Sequence, residues 1–261
     1  MMEILTNTAD ERDLPLLERD LCAFSMLHKT LSQPCERIVT DHERMILCLS
    51  AAPYPVWVWL PQDAREEELA RAYALMRAEF AGCTFNVGQA LGAYAAAQGM
   101  RVTMRMNAYA RDALRPHDGR APGGHFCLAG AADALLAGAW MERFRVDCGL
   151  GGMYAESGRA VAERLIGIRR LFLWKDGEGR PRAMCGVRQD GMAAALTNVF
   201  TEPGSRRRGY GAALVRDVTQ ALLAQNMQPT LYADADYPAS NACYRRVGYE
   251  KRGEIVTVAD A

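Results

Sequence analysis

Three consecutive arginines, Arg206 to Arg208, precede the sequence Gly-Tyr-Gly and then an apolar stretch with four-residue periodicity. The periodicity predicts a helix that begins near Gly209. A helix N-terminus leaves backbone N–H groups without intrahelical partners and carries a partial positive charge. Gly209 and Gly211 would let a ligand approach that backbone without a Cβ in the way, and arginine donates charge-assisted hydrogen bonds to phosphate oxygens. The spacing therefore predicts a binding site for a phosphate-bearing anion.

Two common phosphate-binding loops are excluded by the same residues. The segment contains no Gly-Lys-Ser/Thr sequence, so it is not a P-loop, and only Gly209-Tyr210-Gly211 of the dinucleotide pattern Gly-x-Gly-x-x-Gly is present. A solvated loop at the start of a helix is the alternative interpretation. Because cations oppose the positive end of the helix dipole, a bound anion accounts for the three arginines better than a solvated loop does.

The arginine segment lies within a series of predicted strands and helices in the C-terminal half, which would position it. A strand at HFCLA precedes two predicted helices, 131–146 and 156–169, which are followed by strands at LFLW, RAMCGV and AAALTNVFT. Asp-Gly sequences separate these three strands, as is typical of tight antiparallel turns. The arginine segment and its helix come next, then a strand at TLYA, a short helix at 241–246 and a strand at IVTV. The predicted order is strand, two helices, three antiparallel strands, helix, strand, helix, strand.

A linker is predicted at residues 115–124, RPHDGRAPGG, which hold two prolines and three glycines without hydrophobic periodicity. It would separate an N-terminal domain, residues 1–114, from a C-terminal domain, residues 125–261. A chain of 261 residues is long enough for two such domains. The N-terminal half reads as α/β, with strands at MILCLS and VWVWL, and it contains no catalytic motif.

The C-terminal half resembles the GNAT acetyltransferase superfamily. Arg206-x-x-Gly209-x-Gly211 is similar to the Arg/Gln-x-x-Gly-x-Gly/Ala signature, which in that family binds the pyrophosphate of acetyl-coenzyme A. ALTNVFTEPGSRRRGYGAALV resembles the family's fourth strand and following helix, and LYADADYPASNACYRRVGYE resembles its fifth strand, fourth helix and Tyr-x-x-x-Gly-Tyr/Phe ending. The resemblance covers about residues 121–256. It is closest to two-part GNAT proteins with a degenerate N-terminal half, and it implies an α/β (α+β) fold with a mixed, mostly antiparallel central sheet flanked by helices.

The resemblance also implies roles for individual residues. The backbone of Val199, Phe200 and Thr201 would pair with the pantetheine arm of the cofactor like an added strand. Asn241 would hydrogen-bond the same arm, and Tyr244 would be the general acid that protonates the departing thiolate. A phenol suits that role because its pKa of about 10 is near that of a thiol. The segment that would hold the pyrophosphate consists of Arg206, Arg207, Arg208, Gly209, Tyr210, Gly211 and Ala212.

The implied reaction is direct transfer, in which a neutral amine attacks the thioester and a backbone N–H of the fourth strand stabilises the carbonyl oxygen. The general base is not identified. The fourth strand, residues 192–201, contains no Asp, Glu or His, whereas Asp190 precedes it and Glu202 follows it. Related sequences often have proline where Glu202 stands, which argues against Glu202 as the base.

Each of the other assigned residues has a structural alternative. Asn241 could serve only as a helix N-cap, and Tyr244 could be a packed core aromatic. Cys243 is expected to be a buried small hydrophobe rather than an acyl-carrying nucleophile. Tyr237 stands where close relatives tend to have asparagine, which would change the mouth of the site.

The sequence is compatible with three functions. The first is an acetyl-coenzyme A-dependent N-acyltransferase that acts on a primary amine of a small molecule or on an amino terminus. The second is a non-catalytic protein that binds or senses acyl-coenzyme A. The third, an RNA- or nucleotide-binding module that uses the arginine segment, is disfavoured because 31 basic residues balance 31 acidic ones. The N-terminal half would shape the acceptor pocket, support a homodimer or be a structural remnant, and of these we favour the first.

Composition also bears on metal binding, membrane association and localisation. The eight cysteines form no Cys-x-x-Cys pair, so no metal is expected. No apolar run is long enough to cross a bilayer and the N-terminus does not read as a secretory signal, so the sequence predicts a cytoplasmic protein without a membrane partner.

Overall fold

The structure, a computed structural model, describes residues 3–5, 8–113, 122–152 and 156–261. It divides into two compact units. The N-terminal unit comprises residues 1–109, 233–237 and 251–261, and the C-terminal unit comprises residues 110–232 and 238–250. Most of the predicted linker, residues 115–121, lies outside the described residues, so the predicted domain boundaries stay a prediction.

The described residues form twelve strands and eight α-helices. The strands are β1 (Glu3–Leu5), β2 (Arg37–Thr40), β3 (Ile46–Leu49), β4 (Val56–Trp59), β5 (Phe85–Gly88), β6 (Arg101–Ala110), β7 (His125–Leu128), β8 (Leu171–Lys175), β9 (Pro181–Asp190), β10 (Ala193–Thr201), β11 (Gln228–Asp234) and β12 (Glu250–Ala259). The helices are α1 (Asp13–Leu16), α2 (Leu21–Leu31), α3 (Glu66–Glu79), α4 (Gln89–Ala97), α5 (Ala134–Asp147), α6 (Gly158–Gly167), α7 (Tyr210–Leu223) and α8 (Pro238–Val247).

The N-terminal unit holds strands in the order β1-β2-β3-β4-β5-β12-β6. Strands β2, β3 and β4 pair antiparallel, and β4 pairs parallel with β5. The last strand of the chain, β12, lies antiparallel beside β5, with Ile255 opposite Gly88. Side chains from β3, β4, β5, α3 and β12 form one core, which includes Leu47, Val58 and Met76. The final strand of the sequence therefore completes the sheet of the N-terminal unit.

The C-terminal unit holds strands in the order β11-β10-β9-β8-β7, all antiparallel except for the β10–β11 pair. Helices α5 and α6 pack together and share a core with the sheet through Trp140, Leu165 and Phe200. This is the mixed, mostly antiparallel sheet with flanking helices that the sequence predicts, and the predicted order of elements from residue 125 onwards is confirmed.

Helix α7 packs against β8, β9 and β10. Leu214, Val218 and Leu222, whose four-residue spacing predicts one apolar helix face, are all buried. Each such side chain stabilises the fold by about 1.5–3 kcal/mol relative to an exposed one. This burial fixes the rotation of α7 on the sheet, and its first turn therefore has a defined position at the end of β10.

Candidate functional site

The parallel pairing of β10 with β11 is short. It runs from Ala193 opposite Gln228 to Leu196 opposite Leu231, and in the described part of the chain it goes no further. Strand β10 itself continues to Thr201. The backbone of β10 beyond Leu196 is therefore without a ladder partner on the β11 side, and an extended ligand could pair there as an added strand.

A β-bulge interrupts β10 on its other side. Thr197 lies opposite Gly186 and Phe200 lies opposite Met184 in β9, so two residues of β10 face one residue of β9. One of the two is Asn198, whose φ of 49° is left-handed. Asparagine tolerates this conformation better than most residues do. The bulge re-aims the backbone at the point where β10 loses its pairing with β11.

Of the sequence-predicted residues 199–201, Val199 is the second residue of this bulge, and Phe200 and Thr201 follow it. Phe200 is buried, and its ring lies 5.8 Å from the ring of Trp140 in α5. Val199 and Thr201 are half-buried. Because the Phe200 side chain belongs to the core, only the backbone of this residue is available to a ligand. The pairing of residues 199–201 with the cofactor arm stays a prediction.

A tight loop joins β10 to α7. It consists of a short 3₁₀ turn at Pro203–Ser205 followed by the three arginines. Arg207, with φ of 63°, and Gly209, with φ of 86°, both have left-handed backbone, and Gly209 is the N-cap of α7. Glycine adopts this conformation at little cost. The two left-handed residues turn the chain sharply into the helix.

The first turn of α7 presents unpaired donors. The first N–H that bonds within the helix is that of Ala213, which donates to the Gly209 carbonyl oxygen at 2.9 Å. Within the described residues, the N–H groups of Tyr210, Gly211 and Ala212 have no protein acceptor. Such a group of donors at the positive end of a helix is suited to an anion. The structure therefore brings the predicted residues 206–212 together as one loop and helix start.

Gly211 also has a packing role that the sequence did not reveal. A Cβ at this position would lie 2.6 Å from Thr201 Oγ1, closer than side chains approach each other. The glycine lets the first turn of α7 lie directly against the end of β10. The predicted reason, access for a ligand, is therefore not the only reason for this glycine.

The three arginines differ in their surroundings, although all are exposed. Arg206 pairs with Asp147, with Nη2 2.9 Å from Oδ2, and its Nε donates to the Thr201 carbonyl oxygen at 3.2 Å. The Arg208 guanidinium lies 5.5 Å from the centre of the Tyr210 ring. Arg207 makes no hydrogen bond or ion pair within the described residues. The charge of Arg206 is thus offset by a carboxylate, whereas no described carboxylate contacts Arg207 or Arg208.

Helix α8 carries Asn241 and Tyr244 three residues apart, on one helix face. The helix begins at Pro238, so Asn241 lies inside it and not at its N-cap; the alternative of a helix cap is wrong. Proline is favoured in the first turn, where its missing N–H costs nothing, which explains the earlier start. Both side chains are buried, at 4% and 8% exposure. Asn241 is therefore inside the C-terminal unit, and its contact with a cofactor stays a prediction.

Tyr244 packs edge-to-face against Tyr249, with ring centres 6.2 Å apart. The hydroxyl of Tyr249 in turn lies 2.7 Å from Thr219 Oγ1 in α7. Burial raises the pKa of Tyr244 above that of an ordinary tyrosine. The phenol is therefore protonated at neutral pH, as a proton donor must be, and its role as an acid stays a prediction.

The structure argues against Glu202 as a general base. Its Oε2 accepts hydrogen bonds from Ser205 Oγ at 2.7 Å and from Arg182 Nη1 at 2.8 Å. These donors hold the pKa of Glu202 below its ordinary value. A carboxylate stabilised in this way accepts a proton poorly. The side chain of Asp190, the other carboxylate near β10, lies outside the described residues.

Three further features of the described part of the chain bear on its function: the reactivity of a thiol, the grouping of metal-ligating side chains and the length of the apolar helices. Burial raises the pKa of the Cys243 thiol, which disfavours the reactive thiolate. No group of three or more metal-ligating side chains occurs among the described residues. None of the described helices is both long and apolar enough to span a membrane.

Comparisons with known proteins point to one fold. Residues 177–258 match the family model described as FR47-like protein. A GCN5-related N-acetyltransferase from Sphaerobacter thermophilus is similar with a TM-score of 0.65 and 13% identity, over 98% of this chain and 94% of that one. A GNAT-family acetyltransferase from Colwellia psychrerythraea is similar with a TM-score of 0.62 and 11% identity, over 100% of both chains. No match was found among the curated proteins.

A protein described as tandem has a similar fold. A tandem GNAT protein from the clavulanic acid biosynthesis pathway has a TM-score of 0.53 and 12% identity, over 99% of this chain and 98% of that one. The chain therefore has the fold of GNAT acetyltransferases in a two-part arrangement, and the resemblance inferred from the arginine segment is confirmed. These identities establish the fold and leave the reaction to be argued from the site.

Proposed function

We propose that this protein is an acetyl-coenzyme A-dependent N-acyltransferase that transfers an acetyl group to a primary amine by direct transfer. One observation carries the proposal. At the start of α7, three N–H groups that have no protein acceptor among the described residues lie next to the end of β10, where the described strand no longer pairs with β11. A helix start suits a diphosphate and an unpaired strand suits an extended amide-bearing arm. Coenzyme A contains both.

The proposed binding uses mainly the backbone. Residues 197–201 of β10 would pair with the pantetheine amides, and residues 206–212 would hold the diphosphate. Arg207 and Arg208, whose charges no carboxylate offsets in the described structure, would add charge-assisted hydrogen bonds. Asn241 would contact the same arm from α8. Acetyl-coenzyme A is thus the acyl donor, and the proposed mechanism requires no metal.

The proposed reaction forms a carbon–nitrogen bond and breaks the thioester carbon–sulfur bond. A neutral amine attacks the acetyl carbonyl carbon, and a backbone N–H at the Asn198 bulge stabilises the negative charge on oxygen. The tetrahedral intermediate then expels the thiolate, which takes a proton from Tyr244. The amine proton passes to water, because Glu202 is held by Ser205 and Arg182. The acceptor is a small-molecule amine or an amino terminus.

A non-catalytic protein that binds acyl-coenzyme A is the second candidate. The observation that favours it is the engagement of Glu202, which leaves β10 without a free carboxylate base among the described side chains. The two candidates share the same binding site and differ only in turnover. From the fold and the balanced charge, we also propose that the protein is cytoplasmic and has no nucleic-acid partner.

Turnover decides between the candidates. Wild-type protein would be mixed with acetyl-coenzyme A and a panel of primary amines, and free thiol would be measured against a reaction without amine. Amine-dependent thiol release, lost in Tyr244→Phe and retained in Glu202→Gln, is expected of the enzyme. Coenzyme binding without amine-dependent release from any acceptor would favour the sensor instead.

A further inference from the structure

Asp147 ends helix α5 in an electrostatically unfavourable place. The C-terminus of a helix carries a partial negative charge, so a carboxylate there is destabilising on its own. Two arginines compensate for it: Arg143 Nε lies 2.8 Å from Oδ1 and Arg206 Nη2 lies 2.9 Å from Oδ2. These contacts, Arg206 first, hold the pKa of Asp147 below its ordinary value. Asp147 is therefore a charged bridge between α5 and the arginine segment.

Arg206 makes three contacts with two elements of the C-terminal unit. Besides the ion pair with Asp147, its Nε donates to the Thr201 carbonyl oxygen and its Cζ lies 5.5 Å from the centre of the Phe200 ring. The Phe200 ring packs on Trp140 of α5, which fixes the end of β10 relative to that helix. The guanidinium thus ties the loop to α5 and to β10 at the same time.

We propose that Asp147 is a positioning residue for the coenzyme site, which acts by clamping Arg206 against the ends of α5 and β10. The clamp fixes the loop at residues 202–209, and with it the start of α7, in the conformation that presents the N–H groups of residues 210–212. Arg206 then serves as a structural tie, and the direct charge on the diphosphate comes from Arg207 and Arg208. This inference rests on the proposed function.

The opposite arrangement makes a different prediction. If the diphosphate drew Arg206 away from Asp147, the carboxylate would compete with the cofactor for the same guanidinium. Removing the charge of Asp147 would then tighten coenzyme binding. In the clamp, removing it releases the loop and weakens binding, because the donors must be ordered again when the ligand arrives. The sign of the change therefore separates the two arrangements.

The affinity test uses Asp147→Asn, Arg206→Gln and the double variant of the full chain. Glu163→Gln is the matched control, because Glu163 forms an ion pair with Arg159 four residues earlier on the exposed face of α6. We expect Asp147→Asn to raise the Kd for coenzyme A by up to about fivefold, which is the upper end of the effect of one exposed ion pair. Asp147→Glu should restore part of the affinity. The double variant should bind no more weakly than Arg206→Gln.

The kinetic and structural readouts keep the inference distinct from the proposed function. KM for the acyl donor should rise in Asp147→Asn while kcat stays unchanged, and backbone hydrogen exchange at residues 202–212 of the free protein should accelerate only in Asp147→Asn and Arg206→Gln. Tighter or unchanged binding in Asp147→Asn, or exchange equal to that of Glu163→Gln, would overturn the clamp. If the wild type binds no coenzyme A, the proposed function is wrong, and the exchange comparison still decides whether Asp147 holds the loop.

Discussion

Gly211 offers a test of the packing between the start of α7 and the end of β10. Replacing it with alanine places a Cβ 2.6 Å from Thr201 Oγ1. Overpacking of this kind costs about 1–3 kcal/mol, whereas alanine in place of glycine within a helix stabilises by up to about 1 kcal/mol. The net expectation for Gly211→Ala is a loss of about 1 kcal/mol in the free energy of unfolding.

The same substitution should change sign when the obstructing atom is removed. Thr201→Ala deletes Oγ1 and leaves only the Cβ of residue 201, at an ordinary contact distance of 3.9 Å. In that background only the gain in helix propensity remains for Gly211→Ala. Gly167→Ala in α6, a helical glycine with nothing within 4 Å of its would-be Cβ, is the matched control and should also stabilise. Urea unfolding midpoints of the four chains in the cycle, and of the control, measure these effects.

A double-mutant cycle without coupling would refute this reasoning. If Gly211→Ala is neutral or stabilising with Thr201 intact, the first turn of α7 does not lie against β10 as described. If Gly211→Ala destabilises equally in both backgrounds, the cause is the backbone of the glycine and not its contact with Thr201. Either result would also weaken the case for a preformed anion site at residues 210–212.

Three further predictions follow from individual side chains. Tyr244→Phe should lower kcat about 100-fold with unchanged coenzyme affinity, and because burial raises the pKa of Tyr244, the wild-type rate should show no loss from this group up to about pH 10. The hydrogen-bond partners of Glu202 lower the pKa of its carboxyl group. The ionised carboxylate therefore stabilises the folded protein above the ordinary pKa of about 4.3, and this stabilisation is lost as pH falls through the lower folded value. Glu202→Gln should therefore reduce the free energy of unfolding by up to about 1 kcal/mol at pH 7 and by nothing once the carboxyl is protonated; an equal loss at both pH values would contradict this. The Sγ atoms of Cys35 and Cys48 lie 3.4 Å apart, so the two thiols should form a disulfide when diamide accepts their two electrons and two protons. Mass spectrometry would detect the disulfide as a peptide product lighter by two hydrogen atoms. Two fully alkylated thiols would contradict the contact.

Local patterns in the sequence predicted most of the C-terminal unit. Strand β10 occupies the nine residues AAALTNVFT that its composition indicates, and α7 follows the arginine segment with the predicted apolar face buried. Hydrophobic periodicity and glycine positions are short-range signals, and these elements depend on them. The helix α8 was predicted to begin three residues too late, because Pro238 was not recognised as a helix start.

The unpredicted features depend on contacts between distant parts of the chain. Asp147 is 59 residues from Arg206, and nothing in the spacing of charged residues on α5 indicates which partner it meets. The pairing of β12 with β5 joins residues far apart in sequence in the same way. The bulge in β10 did leave a signal, since Asn198 interrupts an otherwise apolar and β-branched strand with a residue that tolerates left-handed backbone.

The central claim is that the start of α7 and the unpaired end of β10 bind acetyl-coenzyme A. Calorimetric titration of the full chain with acetyl-coenzyme A tests it most directly, with Arg207→Ala/Arg208→Ala as the variant and Arg159→Ala/Arg180→Ala as a control that removes the same charge from exposed positions elsewhere. We predict binding by the wild type and the control and a clear loss of affinity in the variant. Absence of binding by the wild type, or equal affinity in the variant and the control, would contradict the account.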